Sequence, residues 1–350
     1  MDEPTWPHLI TSLINHVDLT AAETGWAMDQ VMSGNTTSTT LAGFLTALAT
    51  KGETVEELKG LAEAMVRHAQ PIEVAADAVD IVGTGGDRAR TVNISSMAAL
   101  VVAGAGVRVV KHGNRASSSA SGSADVIEAL GVSLAMPVTQ VERALDVVGI
   151  TFLFANQFHP SMRYAAPTRR ELGVATAFNV LGPLTNPARP RASAIGVSSS
   201  RHAPLVAGVL AERGSSALVF RGRNGLDELT TTAVNEVWLV EGGQVTREEI
   251  DATALGIPPA TVEQLRGGDP EFNARIAREV LAGSGGVITD TVVLNAAAGL
   301  VAYGFEGTRE GSLPARLARG MDVAREALLS GRAEGVLRRW IEFSRAATAS

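Results

Sequence analysis

The sequence contains no cysteine. That absence excludes a disulfide framework, a cysteine-ligated zinc, an iron–sulfur cluster and a thiol nucleophile together. Aromatic residues are scarce at 4% and charged residues make up only 19%, against 45% hydrophobic over 350 residues. Ala, Val, Leu and Gly must therefore fill the core, as they do in closely packed helices and small-residue parallel sheets. Long apolar runs are missing too. The longest, Met97 to Val110, includes Arg108 and several glycines and is too short to span a bilayer. The first residues, MDEPTWPHLI, lack the basic and apolar regions of a secretory signal. The expectation is a soluble, cytoplasmic protein. Positive charge is in short supply as well: the net charge of −7 argues against a nucleic-acid partner or an anionic membrane surface.

What is present is a helical beginning. Leu9, Ile10, Leu13, Ile14 and Val17 recur at helical spacing, and Leu41, Phe44, Leu45 and Leu48 make another stripe. Thr20-Ala-Ala-Glu23 and Thr54-Val-Glu-Glu57 are capping boxes, each opening a helix. From Val79 the pattern becomes short apolar runs, Gly-rich turns and helices in alternation. Candidate strands are Val79–Val82, Val107–Val110, Thr151–Phe154, Ala192–Val197, Ala217–Phe220 and Val234–Val240. Candidate helices include Ser95–Ala103, one opened by the box Thr139-Gln-Val-Glu142, Ala203–Glu212 and Thr291–Tyr303. This predicts an α/β fold with a mostly parallel sheet flanked by helices, beside a smaller all-helical domain. The helical domain is expected over 1–73, completed by 165–190, and the α/β domain over 74–164 and 191–350.

In a parallel sheet ligands sit beyond the carboxyl ends of the strands, so the loops there carry the chemistry. Gly83-Thr-Gly-Gly-Asp87 follows the first strand, where glycines let backbone N–H groups approach an anion. It is neither a G-x-G-x-x-G fingerprint nor a P-loop, and taken alone it can be a plain turn. Thr91 and Asn93-Ile-Ser95-Ser96 lead into a helix start that offers hydroxyls at a positive end. Lys111-His112-Gly-Asn114-Arg115 follows the second strand, then a Ser-rich stretch from Ser117 to Ser123. Lysine is a compact charge suited to phosphate. Asp227-Glu228 pairs two carboxylates on a loop without His or Cys nearby, a set that suits a hard cation such as Mg²⁺ or simply solvated surface. His159 can be a satisfied structural histidine or a ligand contact. Arg169 can close a helix or fork onto a carboxylate. Two local basic clusters, Arg108/Lys111/Arg115 and Arg163/Arg169/Arg170, fit an anionic small molecule.

Taken in order, GTGGD, N-I-S-S, KHGNR, S-G-S-A-D and the Asp-Glu pair resemble the anthranilate phosphoribosyltransferase family across almost the whole chain. The resemblance implies transfer of the phosphoribosyl group of phosphoribosyl pyrophosphate (PRPP) to the amine of anthranilate, a step of tryptophan biosynthesis, with Mg²⁺ as cofactor and a homodimer formed through the helical domain. It places Gly83, Thr84, Gly86, Asp87, Thr91, Asn93, Ser95, Ser96, Lys111 and Ser123 on PRPP. It places Gly83, His112, Asn114, His159 and Arg169 near anthranilate, with Arg169 on its carboxylate. Ser95, Asp227 and Glu228 become the metal ligands, and no residue is cast as acid, base or nucleophile. Arg88 stands where the family usually has Gly, Asn156 where it often has Pro, and Met162 where an aromatic can occur. A pyrimidine nucleoside phosphorylase shares the implied fold but would lack the metal pair. A PRPP enzyme with another aromatic acceptor and a non-catalytic PRPP-binding regulator are the remaining readings.

Overall fold

The computed structural model describes residues 3–116 and 120–349, leaving Ser117, Ser118 and Ser119 of the serine stretch outside the described residues. The chain opens with α1 (Trp6–Ile14), α2 (Ala21–Met32), α3 (Ser38–Lys51) and α4 (Val55–Arg67). Then come β1 (Val79–Gly83), α5 (Ile94–Gly104), β2 (Val109–Gly113), α6 (Ser123–Leu130), α7 (Val138–Val148) and β3 (Ile150–Phe154). A helical stretch follows with α8 (Ala155–Phe158), α9 (Ala166–Leu172) and α10 (Phe178–Leu181). The second half holds β4 (Ala192–Gly196), α11 (His202–Glu212), β5 (Ser216–Gly222), β6 (Asn235–Glu241) and β7 (Gln244–Ile250). It closes with α12 (Pro270–Leu281), α13 (Val287–Tyr303), α14 (Leu313–Leu329) and α15 (Arg332–Ala349).

Two compact units result: Met1–Pro71 with Ala155–Pro187, and Ile72–Phe154 with Ala188–Ser350. The mid-chain helical segment thus starts at Ala155, directly where β3 ends, rather than at 165.

The helical unit is built on capped helices. Both Thr20 and Thr54 accept from the backbone three residues on, while Glu23 and Glu57 reach back, each closing donors that a helix start leaves open. Glu57 is fully buried and also accepts from Leu19 N–H and Lys51 Nζ. Of the first stripe only Leu9 and Leu13 are buried; α1 stops at Ile14, so Ile14 and Val17 are exposed.

The α/β unit carries one sheet in the order β3-β2-β1-β4-β5-β6-β7. The five strands from β3 to β5 are parallel, and β6 and β7 add antiparallel at one edge. The parallel strands are largely buried on both faces, which explains their mostly apolar character; Asp80, Lys111, His112 and Arg221 are the charged or titratable exceptions. α13 is buried around almost its whole circumference, packed on α5, α14 and β4. β7 has no counterpart among the expected strands: its QVTREEI sequence is mostly exposed and polar, and the visible signal is the Gly242-Gly243 turn, both residues at positive φ. The expected box at Thr139 is also absent, because α7 starts at Val138 after Pro137 and Glu142 accepts from Glu73 N–H instead. The second strand begins at Val109 and runs through Lys111 and His112 rather than ending at Val110.

Candidate active site

β1 and β4 are neighbours in the sheet, yet the chain leaves β1 towards β2 and leaves β4 towards β5. The order reverses between them, and a crevice opens at the carboxyl ends of strands at such a switch point. The glycine loop 83–87 leaves β1 on one side, and residues 197–201 leave β4 on the other.

Asp227 and Glu228 come from the connection between β5 and β6. The Asp227 backbone lies so close to β4 that a Cβ on Gly196 would sit 1.5 Å from its carbonyl oxygen. A Cβ on Gly83 would sit 2.3 Å from Asp227 Oδ2. Glycine at these two positions is therefore demanded by close approach, whatever the backbone angle. The Asp227 carboxylate accepts from Gly85 N–H at 2.7 Å.

Asp87, Asp227 and Glu228 each bring a carboxylate oxygen to within 4.8 Å of the others. Asp87, read from the sequence as a PRPP contact, is thereby the third member of an acidic cluster. Its Oδ1 accepts from Ala89 N–H, closing a local turn, while its Oδ2 and Glu228 Oε2 are buried without a hydrogen-bond partner. Crowded carboxylates away from water resist ionisation. Burial first, then the Asp87 charge, pushes Asp227 up to about 7, with the Gly85 N–H pulling back. Burial and the Asp227 and Asp87 charges push Glu228 well above the usual carboxylate range, opposed by Lys111. Buried, unpartnered oxygens in an all-carboxylate set fit a hard divalent cation such as Mg²⁺.

Lys111 is buried inside β2, its Nζ donating to Ile81 O and to Ser95 Oγ, the latter at 3.1 Å. Burial lowers it to about 8, while the Asp80 and Glu228 charges hold it up. Ser96 Oγ is buried and lacks a partner. Asn93 ties loops together: its Nδ2 donates to Ser121 O at 3.0 Å and its Oδ1 accepts from Asn273 at 2.8 Å. Thr91 makes an isolated antiparallel bridge with Arg266. Thr84 N–H donates to Gly196 O at 2.9 Å. Gly86 is exposed at positive φ. Ser123 opens α6, its Oγ 3.4 Å from Asn114 O. Of the first basic cluster, Arg115 is engaged by Asp125 and Glu128, and Arg108 pairs with Asp146, which leaves Lys111 as the member inside the site.

The acceptor residues divide between the units. Gly83, His112 and Asn114 belong to the α/β unit; there His112 is buried with its N–H on Asp80 and Asn114 is exposed. His159 and Arg169 belong to the helical unit. His159 is buried with Nε2 2.9 Å from Thr185 O, and burial lowers its pKa. Its Nε2 is thus engaged within the helical unit. Arg169 lies over the Phe178 ring at 5.0 Å, has no acidic partner among the described residues and is lowered by burial. Arg163 stacks on Tyr164 instead.

Known proteins share this architecture. A family model described as "Glycosyl transferase family, a/b domain" matches residues 75–334, and "Glycosyl transferase family, helical bundle domain" matches 7–69. The chain is 59% identical over 341 residues to anthranilate phosphoribosyltransferase of Arthrobacter sp. (strain FB24), covering 97% of this chain and 96% of that protein. It is 55% identical to the Streptomyces griseus protein of the same name, over 98% of this chain and 96% of that one. Among solved structures, the anthranilate phosphoribosyltransferase of Thermus thermophilus superposes with a TM-score of 0.89 at 42% identity, over 96% of this chain and 99% of that one. The Saccharomyces cerevisiae enzyme in complex with PRPP and Mg gives 0.87 at 28% identity, over 99% of both chains. On fold, motif order and likeness over nearly its full length, the chain belongs to the anthranilate phosphoribosyltransferase family of glycosyltransferase enzymes.

Proposed function

We propose that this chain transfers the 5-phosphoribosyl group of PRPP to the amine of anthranilate, giving N-(5-phosphoribosyl)anthranilate and pyrophosphate in tryptophan biosynthesis. The observation that carries the reading is the Asp87/Asp227/Glu228 cluster, Asp227 buried and the other two half-buried, beside the glycine loop at the switch point. A nucleoside phosphorylase handles a single phosphate and has no use for such a cation site. The Saccharomyces cerevisiae structures hold PRPP with Mg in one case and 4-fluoroanthranilate in another. Those ligands fit the chemistry of the groups described above.

Leaving-group departure puts negative charge on the diphosphate and positive charge on the ribose. A bound Mg²⁺ would neutralise the diphosphate and stabilise its departure. Asp87, Asp227 and Glu228 are the residues to hold it, and Ser95, joined to Lys111, is the candidate for a further ligand. Lys111 adds fixed positive charge next to Ser95. One unit-charge pair at about 4 Å and an effective dielectric near 20 is worth on the order of 4 kcal/mol. The Thr84 and Gly85 amides are already taken by Gly196 O and Asp227. Phosphate-facing amides therefore come from Gly86 onward and from the starts of α5 and α6, with Asn93, Ser96 and Ser123 as hydroxyl and amide contacts. The anthranilate amine is neutral at pH 7, so its attack depends on orientation rather than on a strong base. No covalent intermediate is needed. Arg169, a guanidinium without an acidic partner among the described residues, is the group to hold the anthranilate carboxylate. The reading includes a homodimer formed through the helical unit.

The test is anthranilate consumption followed by fluorescence with PRPP and Mg²⁺. Asp227→Ala with Glu228→Ala should abolish turnover while circular dichroism stays that of the wild type. Full activity in the double variant would remove the metal assignment.

A further inference from the structure

The two loops that flank the crevice are joined at one residue, Gly85. Gly85, at φ +67°, has open space where a Cβ would be, so only its backbone angle requires glycine. Its N–H donates to Asp227 Oδ2 at 2.7 Å. Its carbonyl accepts from Ser198 Oγ at 2.9 Å. A second clasp sits beside the first: Ser198 N–H donates to Thr84 Oγ1 at 3.2 Å, and the two hydroxyls are 3.4 Å apart. Ser198 is itself backed, since Arg221 Nε donates to its carbonyl at 3.4 Å while Arg221 Nη1 pairs with Glu236 at 2.5 Å.

A loop with consecutive glycines at positive φ has many conformations of similar energy, and freezing them on ligand binding costs affinity. A hydroxyl that fixes one of them in advance lowers that cost. It also holds the carbonyl of the same residue whose N–H orients Asp227. Resting on the function proposed above, we propose that Ser198, in the loop after β4, is a positioning residue of the transfer reaction: it braces Gly85, through its carbonyl, and the Thr84 side chain in the conformation that receives metal-bound diphosphate.

The predicted signature separates donor from acceptor. Ser198→Ala should raise the KM for PRPP about tenfold, the scale of one lost hydrogen bond, and leave the KM for anthranilate within about twofold. Without any ligand, hydrogen–deuterium exchange of the segment 83–87 should quicken in the same variant. Ser198→Thr keeps the hydroxyl and should restore both readouts. Ser198→Gly serves as the hydroxyl-free variant if the alanine protein aggregates. The brace is overturned if the hydroxyl-free variants keep the wild-type KM for PRPP and the wild-type exchange rate. It is equally overturned if both KM values and the melting temperature move together, as a general loss of structure would produce. Wild-type protein run alongside separates the two claims. A wild type that transfers nothing from PRPP to anthranilate sinks the functional reading and this inference with it; an active wild type with unaffected variants sinks the brace alone.

Discussion

A single methyl group is enough to test the centre of the site. A Cβ at Gly83 would meet Asp227 Oδ2 at 2.3 Å and Cγ at 3.1 Å, so Gly83→Ala must push the carboxylate out of the cluster. We expect turnover to fall by about two orders of magnitude, since positional errors near 1 Å cost that much, with little change in thermal stability; wild-type turnover would contradict the packing. The protonation of Asp227 gives a second test. Its folded-state value, about 7, lies above the 3.8 of an ordinary aspartate. The native state therefore binds extra protons between those values. The associated stability is full below 3.8 and is lost as pH rises through 7. In EDTA, the melting temperature should fall as the pH rises from about 4 to about 7 and level off above that. Mg²⁺ should reverse that fall, and its apparent affinity should rise over the same interval as the carboxylates ionise. On the acceptor side, Arg169→Ala should raise the KM for anthranilate at least tenfold and leave that for PRPP nearly unchanged, because a lone guanidinium fork is being removed. Steady-state kinetics with each substrate varied decides it.

Among the elements, α13 does more than fill the core. Asn295, buried in its middle, accepts from Leu229 N–H at 3.1 Å and donates to Leu229 O at 2.8 Å. It thus pins the residue directly after Glu228. Asn295→Leu would strand two buried backbone groups. That should cost about 1–3 kcal/mol in denaturant unfolding and weaken Mg²⁺ dependence as the acidic loop loosens. An unchanged unfolding midpoint would contradict the tether. The elements that are legible in the sequence share one property: a local signal agrees with the tertiary result. Thr20 and Thr54 carry their capping partners within three residues, and the parallel strands are mostly apolar because both faces are covered. Where local and tertiary demands part, the sequence pattern misleads. Thr139-Gln-Val-Glu142 has the letters of a capping box, but Pro137 starts the helix earlier and Glu142 serves Glu73. β7 is an exposed edge strand, so it has no apolar alternation to betray it.

At the scale of the whole molecule, the sheet order explains why distant motifs form one centre. The glycine loop and the Asp-Glu pair are separated by more than a hundred residues, with Lys111 between them, yet β1, β2, β4 and β5 are adjacent and parallel. Residue chemistry is legible before the fold because the glycine loop, the lysine and the acid pair occur together and in order, although each alone has an ordinary structural reading. What the sequence does not convey is three-dimensional crowding: that Asp87 joins the acids, that Gly196 is emptied to let Asp227 pass, and that Ser198 touches Gly85. None of these contacts leaves a periodic or short-range mark. The central claim is that the acids and the glycine loop form a cation-dependent diphosphate site. Isothermal titration of PRPP into the protein, with Mg²⁺ and then with EDTA, measures this most directly. Saturable binding that requires Mg²⁺ and disappears on Asp227→Ala with Glu228→Ala is the predicted result. Equal binding in EDTA, or in the double variant, would contradict it.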